Sequence, residues 1–98
     1  MDIITEKNGN SVTIKPVGNI DFVTAPELDA VIEKEAVDAS QLILDLSEVP
    51  YLASAGLRSI LNADELMEDK EGFKIIKASP NIMAVFEMTG FADSLDIE

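Results

Sequence analysis

The chain contains no cysteine and no histidine, and it carries only 7 Lys and Arg residues against 19 Asp and Glu, a formal net charge of −12 over 98 residues. The missing thiols exclude disulfides, thiolate nucleophiles and iron–sulfur clusters, and without imidazole the usual zinc, haem and copper sites lose their ligands. Ser-His-Asp and Cys-His catalysis are excluded with them. Only carboxylates, lysines and the single tyrosine, Tyr51, remain for acid–base chemistry, so the composition argues against an independent enzyme and for no cofactor. Self-repulsion at this charge also argues against direct binding to nucleic acid or an anionic membrane. Long apolar runs are missing too: the longest is Ile82 to Phe86. The opening Met1-Asp2-Ile3-Ile4-Thr5-Glu6 has no basic segment followed by an apolar one. No signal peptide or membrane span is therefore expected, and the predicted location is cytoplasmic.

What is present suits one packed domain over residues 1–98, since 47% of the residues are hydrophobic and no linker or repeat interrupts the chain. Ile3 to Lys7 and Ser11 to Val17 are β-prone runs joined across Asn8-Gly9, which predicts an N-terminal hairpin with a type I′ turn. Leu28, Val31, Ile32 and Ala36 then recur at helical spacing. Thr24 is the expected cap of that helix, with Glu27 completing a T-x-x-E box, Pro26 in the first turn and Val23 stapled to Leu28. The compact run Leu42 to Leu46 predicts a central buried strand of a sheet covered by helices. A second helix is expected from near Ser54 to about Asp69, stopped by Gly72, and Phe73 to Lys77 reads as another strand. Ser79-Pro80 opens a third helix with Ile82, Val85 and Phe86 buried, and Gly90 is its left-handed stop, letting Phe91 fold back on Phe86. Leu95-Asp96-Ile97 completes an edge. The order predicts an α/β fold with a mixed sheet of about four to five strands packed by helices.

Chemistry has few places to sit. Leu52-Ala53-Ser54-Ala55-Gly56-Leu57 places one hydroxyl among small residues at a helix N-terminus, where free backbone N–H groups and the helix dipole favour a phosphate. Ser54 is thus a candidate phosphoacceptor, the alternative being a plain helix cap. Asp21 is either a second functional residue or a solvated turn aspartate. Asp45, at the end of a buried strand, has the position of a receiver-type phosphoaspartate, but the early strands supply no acidic pair for Mg²⁺. The group Asp64, Glu65, Glu68, Asp69 and Glu71 lacks a D-x-[DN]-x-[DN]-G loop and reads as a solvated face, so no metal site is expected. Met83 and Met88 read as core filler.

Gly18-Asn19-Ile20-Asp21 followed by Thr24-Ala25, then Leu44-Asp45-Leu46-Ser47, Tyr51 to Leu57, Ala78-Ser79-Pro80 and Phe86 to Phe91 stand in an order and spacing that resemble the STAS family, specifically the small bacterial anti-sigma factor antagonists. The resemblance spans nearly the whole chain. It implies a protein switched between partners: unphosphorylated, it binds an anti-sigma factor that is also a serine kinase; phosphorylation breaks the association, and a PP2C-type phosphatase restores it. The family's Asp-Ser-Ser/Thr-Gly-Leu motif places the acceptor at Ser54, with Asp21, Thr24, Ala53, Ala55, Gly56 and Arg58 on the partner-binding side. Two positions depart from the motif, Ala53 standing for Asp and Ala55 for Ser or Thr. A STAS scaffold or a subunit of another assembly, such as a lipid-transport complex, is the alternative that these departures leave open.

Overall fold

The computed structural model describes residues 1–98. Five strands form one sheet in sequence order: β1 (Asp2–Asn8), β2 (Ser11–Val17), β3 (Gln41–Asp45), β4 (Gly72–Ile76) and β5 (Asp96–Ile97). The β1–β2 pair is antiparallel and every later pair is parallel. Between the parallel strands run α1 (Ala25–Ala36), α2 (Ser54–Leu66), α3 (Pro80–Thr89) and the single turn α4 (Phe91–Ser94). The mixed α/β sheet, its hairpin and the central place of β3 agree with the sequence; the turn α4 carries no periodicity by which to find it.

Three crossovers run in one direction along the sheet, and with the right-handed sense that such connections follow they stack the helices on one face. Burial follows that geometry. Val12, Ile14, Leu42, Leu44, Phe73 and Ile75 alternate into the core, while Thr13, Lys15, Ile43, Lys74 and Ile76 on the other face stay half-exposed. The run Leu42 to Leu46 is therefore covered by helices on one side only. Leu28, Ile32, Ile60, Ala63, Met67, Ile82 and Phe86 close the core from the helical layer.

Several local expectations change. Asn8 pairs with Ser11, so the hairpin loop is Gly9-Asn10. Gly9 alone has positive φ there, at 65°, which makes the turn type II′ rather than I′. Helix α2 stops at Leu66, three residues short of Asp69: the Met67 N–H closes its last turn on the Ala63 carbonyl at 3.2 Å, and the Glu68 N–H then bonds to the Glu65 carbonyl at 3.3 Å in a tighter turn. Met88 is exposed rather than filler, whereas Met83 packs against the core. The ends of the third helix are as expected: Ser79 Oγ accepts from the Ile82 N–H at 3.3 Å, Gly90 is left-handed at φ 83°, and Phe86 and Phe91 stack with centroids 6.3 Å apart. Of its three expected core residues Ile82 and Phe86 are buried, whereas Val85 stays half-exposed.

Candidate functional site

In a parallel sheet the strand-to-helix loops gather at the carboxyl ends of the strands, where this architecture places its binding residues. Here residues 18–24, 46–53 and 77–79 meet there. The first two are stitched together by a parallel bridge between Ile20 and Leu52, in which the Ile20 N–H donates to the Tyr51 carbonyl at 3.0 Å and the Ala53 N–H to the Ile20 carbonyl at 2.8 Å. Ile20 and Leu52 are both buried. Their register sets Asn19 beside Tyr51 and Asp21 beside Ala53, so Asp21 and the start of α2 share one surface.

Beneath that junction lies Gly56. A Cβ there would stand 2.3 Å from Leu52 Cδ1 and 2.8 Å from Ile20 Cγ2. The absence of a side chain is what lets the first turn of α2 close onto the two loops. Gly56 is itself buried, so its part in the site is to seat the helix rather than to touch a partner.

Ser54 is the first residue of α2 and not its cap: Ala53 holds the extended cap conformation, with no side-chain cap bond. The hydroxyl is exposed, and no hydrogen bond within the chain engages it. The Ala53 carbonyl takes the Gly56 and Leu57 N–H groups at 2.9 and 3.2 Å. The N–H groups of Ser54 and Ala55 are left without an intrahelical acceptor, beside the positive end of the helix dipole. Ala53 and Ala55 are half-exposed, and Arg58 projects from the exposed face one turn on.

The start of α1 differs from the expected T-x-x-E box. Asp21 Oδ1 accepts from the Val23 and Thr24 N–H groups at 2.9 and 3.0 Å, and the Asp21 N–H donates to Thr24 Oγ1 at 3.0 Å. The Asp21 carbonyl accepts from the Ala25 N–H at 2.8 Å. This is a reciprocal box in which Asp21 is the cap and Thr24 the return partner. Thr24 Oγ1 in turn donates to the Asn19 carbonyl at 2.9 Å, and Glu27 is drawn away to the Met1 ammonium at 3.2 Å. The Thr24 N–H and then the Val23 N–H, both donating to the Asp21 carboxylate, hold its pKa below the ordinary 3.8. Val23 does not staple to Leu28; it and Phe22 point to solvent.

Asp45 is buried, its Oδ1 accepting from the Ser47 N–H at 2.9 Å and its Oδ2 standing 3.9 Å from Lys77 Nζ. Lys77 is the one non-glycine residue with positive φ, at 58°. No group of three acidic side chains converges to hold a metal, at Asp45 or along the Asp64 to Glu71 segment. The surface depressions, lined by residues such as Lys7, Asn10, Asp38, Gln41 and Glu71, do not include Asp21, Tyr51 or Ser54. The Ser54 surface is open, with none of these depressions beside it. The exposed apolar residues beside Ser54, namely Phe22, Val23 and Tyr51, carry no signal in the sequence, because their outward direction is set by the Ile20–Leu52 bridge and the Asp21 cap.

A model of the STAS domain matches residues 2–98. The anti-sigma-B factor antagonist of Bacillus subtilis is 26% identical over 98 residues, covering 99% of this chain and 90% of that protein. A crystal structure of an anti-sigma factor antagonist from Mycobacterium paratuberculosis superposes with a TM-score of 0.90 at 27% identity, over 98% of this chain and 83% of that one. The Bacillus cell fate determinant SpoIIAA in its phosphorylated form shares the fold, with a TM-score of 0.77 at 18% identity over 99% of this chain and 91% of that one. No helix is long and apolar enough to cross a membrane.

Proposed function

The chain belongs to the STAS domain family, and from that premise we propose that it is an anti-sigma factor antagonist switched by phosphorylation of Ser54. Unmodified, it binds an anti-sigma factor that is also a serine kinase and so releases a sigma factor; phosphorylated, it lets go, and a PP2C-type phosphatase resets it. The protein supplies one hydroxyl and its partners supply the catalysis, all in the cytoplasm. The observation that carries this reading is the free Ser54 hydroxyl, exposed at the first residue of α2 and engaged in no cap bond.

The physical basis of the switch is local. A phosphoserine adds about −1.5 to −2 charges. At the N-terminus of α2 that charge is well placed within the domain, so the fold is retained and the effect falls on the interface. There a phosphate pressed against a partner's carboxylate or bound nucleotide phosphate is repelled and desolvated, and about 3 kcal/mol lowers affinity more than a hundredfold.

The test is to incubate the protein with ATP and the anti-sigma factors encoded in the same genome, and to locate any phosphate by mass spectrometry. Phosphate on Ser54, lost in Ser54→Ala, is expected. Ala53 and Ala55 favour a second reading, a STAS scaffold or subunit without the switch, and that reading expects no transfer to Ser54.

A further inference from the structure

Resting on the reading above, we infer that Phe22, Val23 and Tyr51 are the apolar anchors by which the anti-sigma factor is held, and that Asp21 is a positioning residue for them rather than a contact.

Phe22 is 80% exposed, Val23 65% and Tyr51 58%, on a chain whose other large apolar side chains mostly fill the core. Burying them in a partner removes that area from water, and aromatic side chains of this kind dominate binding energy at interfaces. They do not stand at random. Phe22 and Val23 follow Asp21, which the Ile20–Leu52 bridge sets beside Ala53, and Tyr51 lies on the partner segment of the same bridge. The three therefore border Ser54, and a phosphate there would reach whatever covers them.

One oxygen of the Asp21 carboxylate, Oδ1, is committed within the chain. It accepts from Val23 and Thr24 while Thr24 Oγ1 accepts from the Asp21 N–H. Those bonds fix the backbone of the two residues that carry the anchors, so Phe22 and Val23 are presented rather than collapsed onto α1.

Glu48, exposed and unpaired on the segment between β3 and Tyr51, adds an acidic side chain to the loop that carries this anchor, on a chain of net charge −12. Arg58 is the cation on α2 and has no ion-pair partner. The complementary surface is an apolar cleft of the anti-sigma factor bordered by Lys or Arg.

The experiment measures the dissociation constant of the unphosphorylated full chain for the purified anti-sigma factor, by titration calorimetry. Phe22→Ala and Tyr51→Ala are expected to raise it at least about tenfold each, with far-ultraviolet circular dichroism unchanged. Met88→Ala, 87% exposed at the opposite end of the molecule, is expected to leave it unchanged. Asp21→Asn, which keeps the accepting oxygen, is expected to stay within about threefold of the parent, and Asp21→Ala, which loses the cap, to weaken binding by more. Anchor variants that bind like the parent overturn the anchor role, and equal losses in Asp21→Asn and Asp21→Ala overturn the positioning role. A parent chain that binds no anti-sigma factor overturns the functional reading and this inference with it, an outcome distinct from the other two.

Discussion

Ile20 and Leu52 meet in a parallel bridge outside the main sheet, and the two hydrogen bonds that flank it, at 3.0 and 2.8 Å, join the loop that carries Asp21 to the loop that delivers Ser54. The candidate site thus depends on a contact between residues far apart in sequence whose own side chains never reach the surface.

Gly56 is where that contact is most vulnerable. Leu52 and Ile20 are 4% and 0% exposed, so neither side chain has room to swing away from an added methyl. Gly56→Ala is expected to cost about 1–3 kcal/mol in urea denaturation, the usual range for overpacking a filled core, despite the better helix propensity of alanine. Unchanged stability would mean that the junction is looser than the contacts indicate.

A second prediction concerns the far end of α1. Lys70 Nζ donates to the Ala36, Val37 and Ala39 carbonyls, the last at 3.0 Å, and so caps the carboxyl end of that helix with a cation. Lys70→Met keeps the aliphatic stem and removes the charge. It is expected to lower stability by about 1 kcal/mol, read from the urea midpoint at unchanged slope.

The Asp21 cap gives a pH dependence. Its carboxyl is held below the ordinary 3.8, chiefly by the Thr24 and Val23 N–H groups, so the folded state favours the charged form. That contribution is fully present above the unfolded pKa and is lost as pH falls through the folded value. The stability gap between the parent and Asp21→Asn is therefore expected to hold steady from neutral pH to about pH 5 and to narrow as pH falls below the ordinary 3.8, followed by denaturant titration at each pH. A constant gap would show that the carboxylate is not held by those bonds.

The contrast between the two caps shows how much was legible. Ser79-Pro80 and Gly90 act as their residue types dictate because each needs only its own helix. Thr24 and Glu27 match a capping box as a pattern, yet Asn19 and the Met1 ammonium compete for the two side chains, and Asp21 takes the cap. That competition is tertiary. The hairpin, the alternating core strands and the central β3 follow from local patterning, as does Ser54 at a helix start. The exposure of Phe22, Val23 and Tyr51 and the burial of Gly56 follow from the loop–loop bridge, which no local pattern encodes.

Arg58 stands four residues after Ser54 on the exposed face of α2, free of any ion pair. A phosphate on Ser54 and this guanidinium form an i, i+4 pair in the favourable order, worth about 0.3–0.5 kcal/mol. Arg58→Ala is expected to raise the second pKa of the phosphoserine by about 0.2–0.4 units, since the cation favours the dianion. Phosphorus NMR titration of the phosphorylated protein reads this directly, and an unshifted titration would show that Arg58 faces elsewhere.

The central claim is that one phosphate on Ser54 decides whether an anti-sigma factor is bound. Its most direct test is the dissociation constant of the purified anti-sigma factor for the unmodified chain and for the same chain phosphorylated stoichiometrically on Ser54. The account predicts a loss of at least about a hundredfold, equivalent to about 2.7 kcal/mol, without unfolding. Equal affinity of the two forms would contradict it.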